Sequence, residues 1–445
     1  MYPDSARASA LLHERARRVL PDGNTRHSYF FKPFPPYAVA GRGCFVTDAD
    51  GVERIDFVNN FSSLIHGHNH PAIVEAVSAQ LGRLTAVGLP TEHEIRLAEI
   101  LCDRIPGIER IRFVNSGTEA VMMAIKAARA YTGRTGIAKT EGAFHGSYDP
   151  TEISFAPTAG NWGPAHHPAS VPLCDGTPKS ICDEVVVLPL NDVASTRQLI
   201  EERADTLACV LVDPVVSRMG YLAISDDYLT MLRSVTRERG IVLLFDEVYS
   251  LRVGYNGFQG RAKITPDLTA LGKIIGGGFP VGAIGGRKEI MSVFNFREEL
   301  PRVPHGGTFN ANPITMVAGI AAMNLLTESE FRRLNELGRR MRDGLGSISQ
   351  IIGLDAQVYG MASLMSVRFT RHRSTGYREY VSDGHDESLA KKLHLELLDR
   401  GVLSSHLTIY NVSTAMSDAE IDFFLQQMED SLRALTFSLA GGPHG

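Results

Sequence analysis

Cysteine is scarce in this chain and widely scattered. Its five residues, Cys44, Cys102, Cys174, Cys182 and Cys209, include no CxxC pair, which gives no support to a zinc knuckle or a disulfide framework and makes reduced thiols of a cytoplasmic chain the expectation. No stretch approaches the ~18 apolar residues of a membrane span. Residues 1–20 carry Arg7, Arg15, Arg17 and Arg18 without an unbroken apolar segment, so a secretory signal is not expected. A net charge of −5 leaves no basic footprint for nucleic acid. No GxGxxG follows the first strand, which counts against a dinucleotide oxidoreductase. Gly272-Lys273 is not a phosphate-binding loop, because Ile274 replaces the required Ser/Thr and Asp267 stands where the first glycine belongs. Internal repeats and low-complexity linkers are absent too.

What is present is an ordinary globular composition: 445 residues, 44% hydrophobic and 21% charged, enough for a large core in two or three lobes. Apolar spacing from Ala8 to Leu20 predicts an amphipathic helix. The stretch Tyr29-Phe30-Phe31-Lys32-Pro33-Phe34-Pro35-Pro36 is expected to be extended, since proline disfavours helix at and before itself. Residues 44–51 and 54–58 read as a hairpin around Asp50-Gly51. From residue 71 helices (71–84, 92–105, 118–131) alternate with strands (110–114, 208–212, 241–245). The last two strands are continuously apolar, as suits a parallel sheet buried on both faces. That alternation predicts an α/β doubly wound domain. After Asn312-Pro313 come helices at 314–326, 328–345, 387–400 and 418–435 and strands at 362–369 and 408–412, a smaller α+β lobe. The expected division is 1–60, an N-terminal helix and β segment packing with the small lobe; 61–320, the large domain; and 321–445, the small domain.

Ligands of an open parallel sheet bind at the carboxyl ends of its strands, where the polar residues fall. Asn115-Ser116-Gly117-Thr118 follows a strand and opens a helix; N–H groups, hydroxyls and the helix dipole there make a phosphate cradle. Phe144-His145 offers an aromatic face for a flat ring. Asp213 and Asp246 end successive strands. Val248 would pack on the opposite ring face if the second strand continued. Lys273 closes a short β run before Gly276-Gly277-Gly278. A lysine able to form a Schiff base and a buried aspartate able to pair with a pyridinium nitrogen are what pyridoxal 5'-phosphate (PLP) chemistry needs. His66, His68 and His70 alternate like metal ligands, but they flank a turn with no carboxylate or cysteine cluster, and no metal is expected. Residues 149–172, rich in Pro, Gly and His, are expected to form a loop over the site's entrance.

Further motifs carry a resemblance. Asp48-Ala49-Asp50-Gly51, Gly67-His68-Asn69-His70-Pro71, Asn115-Ser116-Gly117-Thr118-Glu119-Ala120, Phe245-Asp246-Glu247-Val248, Thr269-Ala270-Leu271-Gly272-Lys273 and Gly307-Thr308-Phe309-Asn310 resemble those of class III aminotransferases of PLP fold type I. The similarity is to the branch with glutamate-1-semialdehyde aminomutases and β-amino acid aminotransferases. The resemblance implies a mostly parallel large domain with helices on both faces plus a small α+β domain, and a homodimer with shared active sites. It implies that Thr308 of one subunit reaches the phosphate held by Ser116, Gly117 and Thr118 of the other. Arg26 and Phe61 would line the substrate pocket, Arg26 gripping a carboxylate. His406 replaces an arginine of the β-amino acid aminotransferases, and Thr408 falls nearest a gating glutamate of the aminomutases. The implied activity is ping-pong transfer of an amino group from a small-molecule amine to a keto acid or aldehyde. An intramolecular aminomutase, an epimerase and an amino-sugar aminotransferase are the alternatives on the same scaffold.

Overall fold

The computed structural model describes residues 2, 4, 7–26, 30–296 and 300–440; Tyr29 of the proline-rich stretch lies outside them. The chain forms two compact units, one of Met1–Pro71, Arg333–His372 and Asp383–Gly445, the other of Ala72–Arg332 and Arg373–Ser382.

The larger unit is built on a seven-stranded sheet in the order Arg110–Val114, Gly282–Gly286, Leu268–Gly272, Val242–Asp246, Leu207–Val212, Gly136–Thr140, Val185–Leu188. All adjacent pairs are parallel except those of Gly282–Gly286, which runs antiparallel to both its neighbours. Its continuously apolar strands are buried along their whole length, as both faces of the sheet are covered. Helix Gly117–Thr132 presents Ala120, Ala124, Ala127 and Ala128 to the core, small side chains that let it lie close to the sheet. The start of Leu268–Gly272 is pinned by Asp267, whose carboxylate accepts from Leu243 N (2.8 Å), Arg233 (3.0 Å) and Arg287 (3.2 Å). Helix Pro313–Leu325 packs against the turn after that strand. A Cβ on Gly319 would stand 2.3 Å from the Ile275 carbonyl oxygen, and one on Gly277, at φ +58°, 2.4 Å from that of Ala318.

The smaller unit holds a four-stranded sheet of Ala38–Arg42, Phe45–Asp48, Glu53–Asp56 and Val402–Leu403. The predicted hairpin is there: Asp48 Oδ1 accepts from Asp50 N (3.0 Å) and Val52 N (2.9 Å) across the turn, while Oδ2 meets buried Arg54 at 2.5 Å. A three-stranded antiparallel sheet, Gln357–Met361, Leu364–Arg368 and Ile409–Asn411, and helices Glu387–Asp399 and Asp418–Ala440 complete it. Strands Ala38–Arg42 and Gln357–Met361 were not expected; each is short and carries a glycine, which weakens the strand signal. The segment 373–382, expected in the small lobe, belongs to the larger unit. There Tyr377 donates to Pro157 O (2.8 Å) and Arg378 pairs with buried Glu141 (2.9 Å).

Candidate functional site

Three neighbouring strands of the larger unit end in Asp213, Asp246 and Lys273. Asp246 is the last residue of its strand; its Oδ2 lies 2.9 Å from His145 Nδ1. Burial holds the His145 imidazole below its ordinary pKa, against the pull of Asp246. The ring is therefore neutral at pH 7, with Nδ1 donating to the carboxylate. Its Nε2 is buried with no hydrogen-bond partner among the described residues. Asp213 follows Leu207–Val212 and accepts from Val215 N (3.3 Å) and Ser217 N (3.2 Å). Burial, and then the charge of Asp246, raise its pKa well above the usual carboxylate range.

Lys273 directly follows its strand in a left-handed conformation (φ +50°) that turns the side chain back along the strand end. Its Nζ lies 3.7 Å from the ring centroid of Tyr249. Desolvation lowers the amine to about 8, opposed by Asp246 and Asp213. Half of such a lysine is free base at about pH 8, far below the pH an ordinary lysine needs, and a nucleophilic amine requires that form.

The strand does not continue to Val248. It ends at Asp246, and Val248 N donates to Asp246 Oδ1 (3.1 Å) in a turn. The Val248 side chain instead sits 3.1 Å from where a Cβ on Gly117 would be and 3.4 Å from one on Gly272. It thus joins the first turn of the cradle helix to the strand of Lys273.

Ser116 caps helix Gly117–Thr132, accepting from Glu119 N (3.1 Å), while Glu119 reaches back to Asn115 N (2.7 Å). Thr118 Oγ1 accepts from Ser147 N (3.3 Å), and a Cβ on Gly146 would stand 2.4 Å from that oxygen. The chain after His145 therefore approaches the cradle as only glycine allows. Asn115 donates to Asn310 (2.8 Å), Asn310 meets His305 (3.2 Å), and His305 accepts from Arg112 (2.7 Å). This relay brings the loop of Thr308 beside the cradle, with Thr308 itself exposed. Phe144 is 43% exposed and makes an edge contact with Phe155 at 5.6 Å.

The remaining expected residues lie in the smaller unit. Arg26 and Phe61 line one cavity of about 290 Å³ with Asp56, His68 and Leu403. Arg26 donates to Asn60 (3.1 Å), and Phe61 is held left-handed at φ +52°. His406 does not line this cavity; its ring lies 6.4 Å from Phe31 and 6.2 Å from His394. The Thr408 hydroxyl donates to Val367 O (2.6 Å). The alternating histidines are occupied separately, His66 with Thr414 and His68 with Asp56, each at 2.9 Å. In the larger unit, 149–172 opens with the short helix Asp149–Glu152 before the irregular stretch begins.

Sequence reasoning quoted Asn310 only as part of a motif and passed over Tyr249, Phe155, Tyr377 and Arg378. Tyr249 lies three residues beyond Asp246 and could have been found from that spacing. Tyr377 and Arg378 come from a segment far along the chain, and nothing local marks them.

Comparison with known proteins decides the family: residues 32–432 match the family model for aminotransferase class-III. The chain belongs to the class-III aminotransferases. This aminotransferase is 49% identical to an omega-transaminase from Sphaerobacter thermophilus, with a TM-score of 0.95 over 97% of this chain and 98% of the other. It is 33% identical to a β-phenylalanine aminotransferase from Variovorax paradoxus, with a TM-score of 0.87 over 96% and 94%. It is also 37% identical to a glutamate-1-semialdehyde 2,1-aminomutase of Methanothermobacter thermautotrophicus, over 95% of this chain and 98% of that protein. The fold is accordingly PLP fold type I.

Proposed function

We propose that this class-III aminotransferase moves an amino group from a carboxylate-bearing amine, such as a β-amino acid, to a keto acid or aldehyde in a ping-pong cycle, with PLP as cofactor. A structure 40% identical to this chain is a transaminase with PLP bound. The residues present fit that group. A desolvated amine, a buried carboxylate held by a neutral histidine, and an N-terminal helix cradle stand at neighbouring strand ends. When bound, PLP supplies an aldehyde that takes up the amine and a protonated pyridine ring that accepts the electron pair of the broken C–H bond.

The residues divide the remaining work. Lys273 Nζ holds the cofactor at rest and carries the proton taken from the substrate carbon. Asp246 keeps a negative charge beside the ring nitrogen, and His145 orients that carboxylate through Nδ1–H. Asp213, buried beside Asp246, has its pKa raised by burial and then by the charge of Asp246. Ser116, Gly117 and Thr118 present donors and the helix dipole to the phosphate, with Thr308 of a partner subunit as a further donor. Phe144 would offer its exposed face to the ring, while Val248 supports the cradle at Gly117 and Gly272. Arg26 offers a fork for a carboxylate and Phe61 an apolar wall.

The observation that carries this reading is the placement of Lys273 directly after one strand, its Nζ 3.7 Å from the Tyr249 ring, with Asp246 at the end of the neighbouring strand and 2.9 Å from buried His145. The likeness to the Sphaerobacter omega-transaminase supports transfer between two substrates. The 37% identity to an aminomutase supports the second reading, rearrangement of one amino-aldehyde. A half-reaction screen separates them. The protein is mixed with a β-amino acid, alanine, glutamate, a simple amine, an amino sugar and glutamate semialdehyde while its visible absorption is followed. Bleaching by a donor and recovery with a keto acid is the expected result; consumption of the semialdehyde alone would replace it with the aminomutase. The reduced thiols are in keeping with a cytoplasmic enzyme.

A further inference from the structure

We propose that Arg218 is an anchor for a negatively charged group, a carboxylate above all, on the amine taken by this site, and that Phe144 and Phe155 receive the apolar part beside it. The inference rests on the aminotransferase reading and narrows its substrate class. Arg218 sits on the short turn Ser217–Met219, just beyond Asp213. That turn is tied to the site, because the Asp213 carboxylate accepts the N–H groups of Val215 (3.3 Å) and Ser217 (3.2 Å), and Gly220 closes it at φ +62°. The Arg218 guanidinium lies 5.2 Å above the ring of Phe155. Phe155 meets Phe144 edge-on at 5.6 Å, and Phe144 immediately precedes His145, the partner of Asp246. The guanidinium and the two rings therefore form one surface continuous with the strand-end cluster.

The decisive feature is what Arg218 lacks. It is exposed, and among the described residues no carboxylate or carbonyl takes up its donors. Arg378, in the same unit, shows the contrast. Its guanidinium also lies over an aromatic ring, Trp162 at 5.0 Å, but its donors are occupied by Glu141 (2.9 Å) and by the carbonyls of Trp162 and Gly163 (2.7 Å each). Arg378 is a clamp, whereas Arg218 keeps its fork for a ligand. Stacking on Phe155 holds the planar head in place, so less freedom is lost when an anion binds.

The test uses the PLP-loaded enzyme as wild type, R218A, R218K and R26A. Calorimetry measures binding of 3-phenylpropanoate, a carboxylate with no amine to react. Half-reaction rates compare 3-amino-3-phenylpropanoate with 1-phenylethylamine, which lacks the carboxylate. R218A is expected to weaken phenylpropanoate binding and kcat/KM for the amino acid by roughly 10- to 100-fold, the loss of a charge-assisted contact, with 1-phenylethylamine within about twofold of wild type. R218K should recover part of the loss. Unchanged selectivity in R218A, selective loss in R26A alone, or no phenylpropanoate binding by the wild type would each overturn the proposal. Failure of the aminotransferase reading looks different: no donor passes its amine in the wild type, even though the anion still binds.

Discussion

Lys273 carries the most exposed consequence at the scale of single residues. An amine at about 8 is half unprotonated two to three pH units below an ordinary lysine. Mixed with PLP, the cofactor-free protein is expected to take it up at a rate that climbs as pH passes through about 8, read from visible absorption; a midpoint near 10.5 would contradict the desolvation. The lowered pKa also costs stability. Below about 8 the folded state holds an ammonium it disfavours, and the cost fades as pH rises towards the unfolded value of 10.5. Lys273→Ala should remove both the absorption and all transfer. His145 acts one step away, through Asp246. His145→Ala removes a hydrogen bond to a charged group, and kcat is expected to fall by roughly 10- to 100-fold with the cofactor still bound. An unchanged kcat would show that Asp246 needs no orienting partner.

Between elements, close approach is what places these residues. Helix Pro313–Leu325 meets the turn after Lys273 at Gly277 and Gly319, where added Cβ atoms would stand 2.4 and 2.3 Å from carbonyl oxygens. Gly319→Val should lower stability by about 3 kcal/mol, measured by thermal unfolding, and loosen cofactor retention, because the turn must shift to admit the side chain. The stretch around Trp162 is held by a different device, the Arg378 clamp on Glu141. Breaking a largely buried pair leaves an uncompensated charge. Glu141→Gln is therefore expected to cost about 3 kcal/mol and to speed protease cleavage within 157–172; cleavage at the wild-type rate would show that the clamp does not order this segment.

For the molecule as a whole, the exposed apolar side chains of the larger unit point to a partner. Leu300 is 78% exposed, Phe296 77%, Leu89 72% and Phe309 59%, large side chains that a monomer would leave in water. The proposed homodimer should sediment at twice 48.6 kDa. Phe309→Asp, next to Thr308, is expected to shift that species towards the monomer and weaken PLP binding together. A monomeric wild type with full cofactor affinity would remove the shared-site reading.

The sequence by itself determined the alternation of the larger unit, the hairpin at Asp48–Arg54 and the residues at the strand ends. These are local signals: a run of buried apolar residues, a turn dipeptide, a capping Ser-Gly-Thr-Glu. It left open whether the strand reaches Val248, because a strand's last residue depends on which backbone groups find partners, and here Asp246 takes the Val248 N–H. It assigned 373–382 to the small lobe, since no local pattern reveals that Arg378 will meet Glu141, 237 residues earlier. It passed over Arg218 because a lone arginine looks alike in sequence whether or not a carboxylate waits beside it. Only the tertiary structure decided which guanidinium is occupied and which has no carboxylate partner among the described residues, since ion pairing depends on distances between segments that the order of residues does not contain.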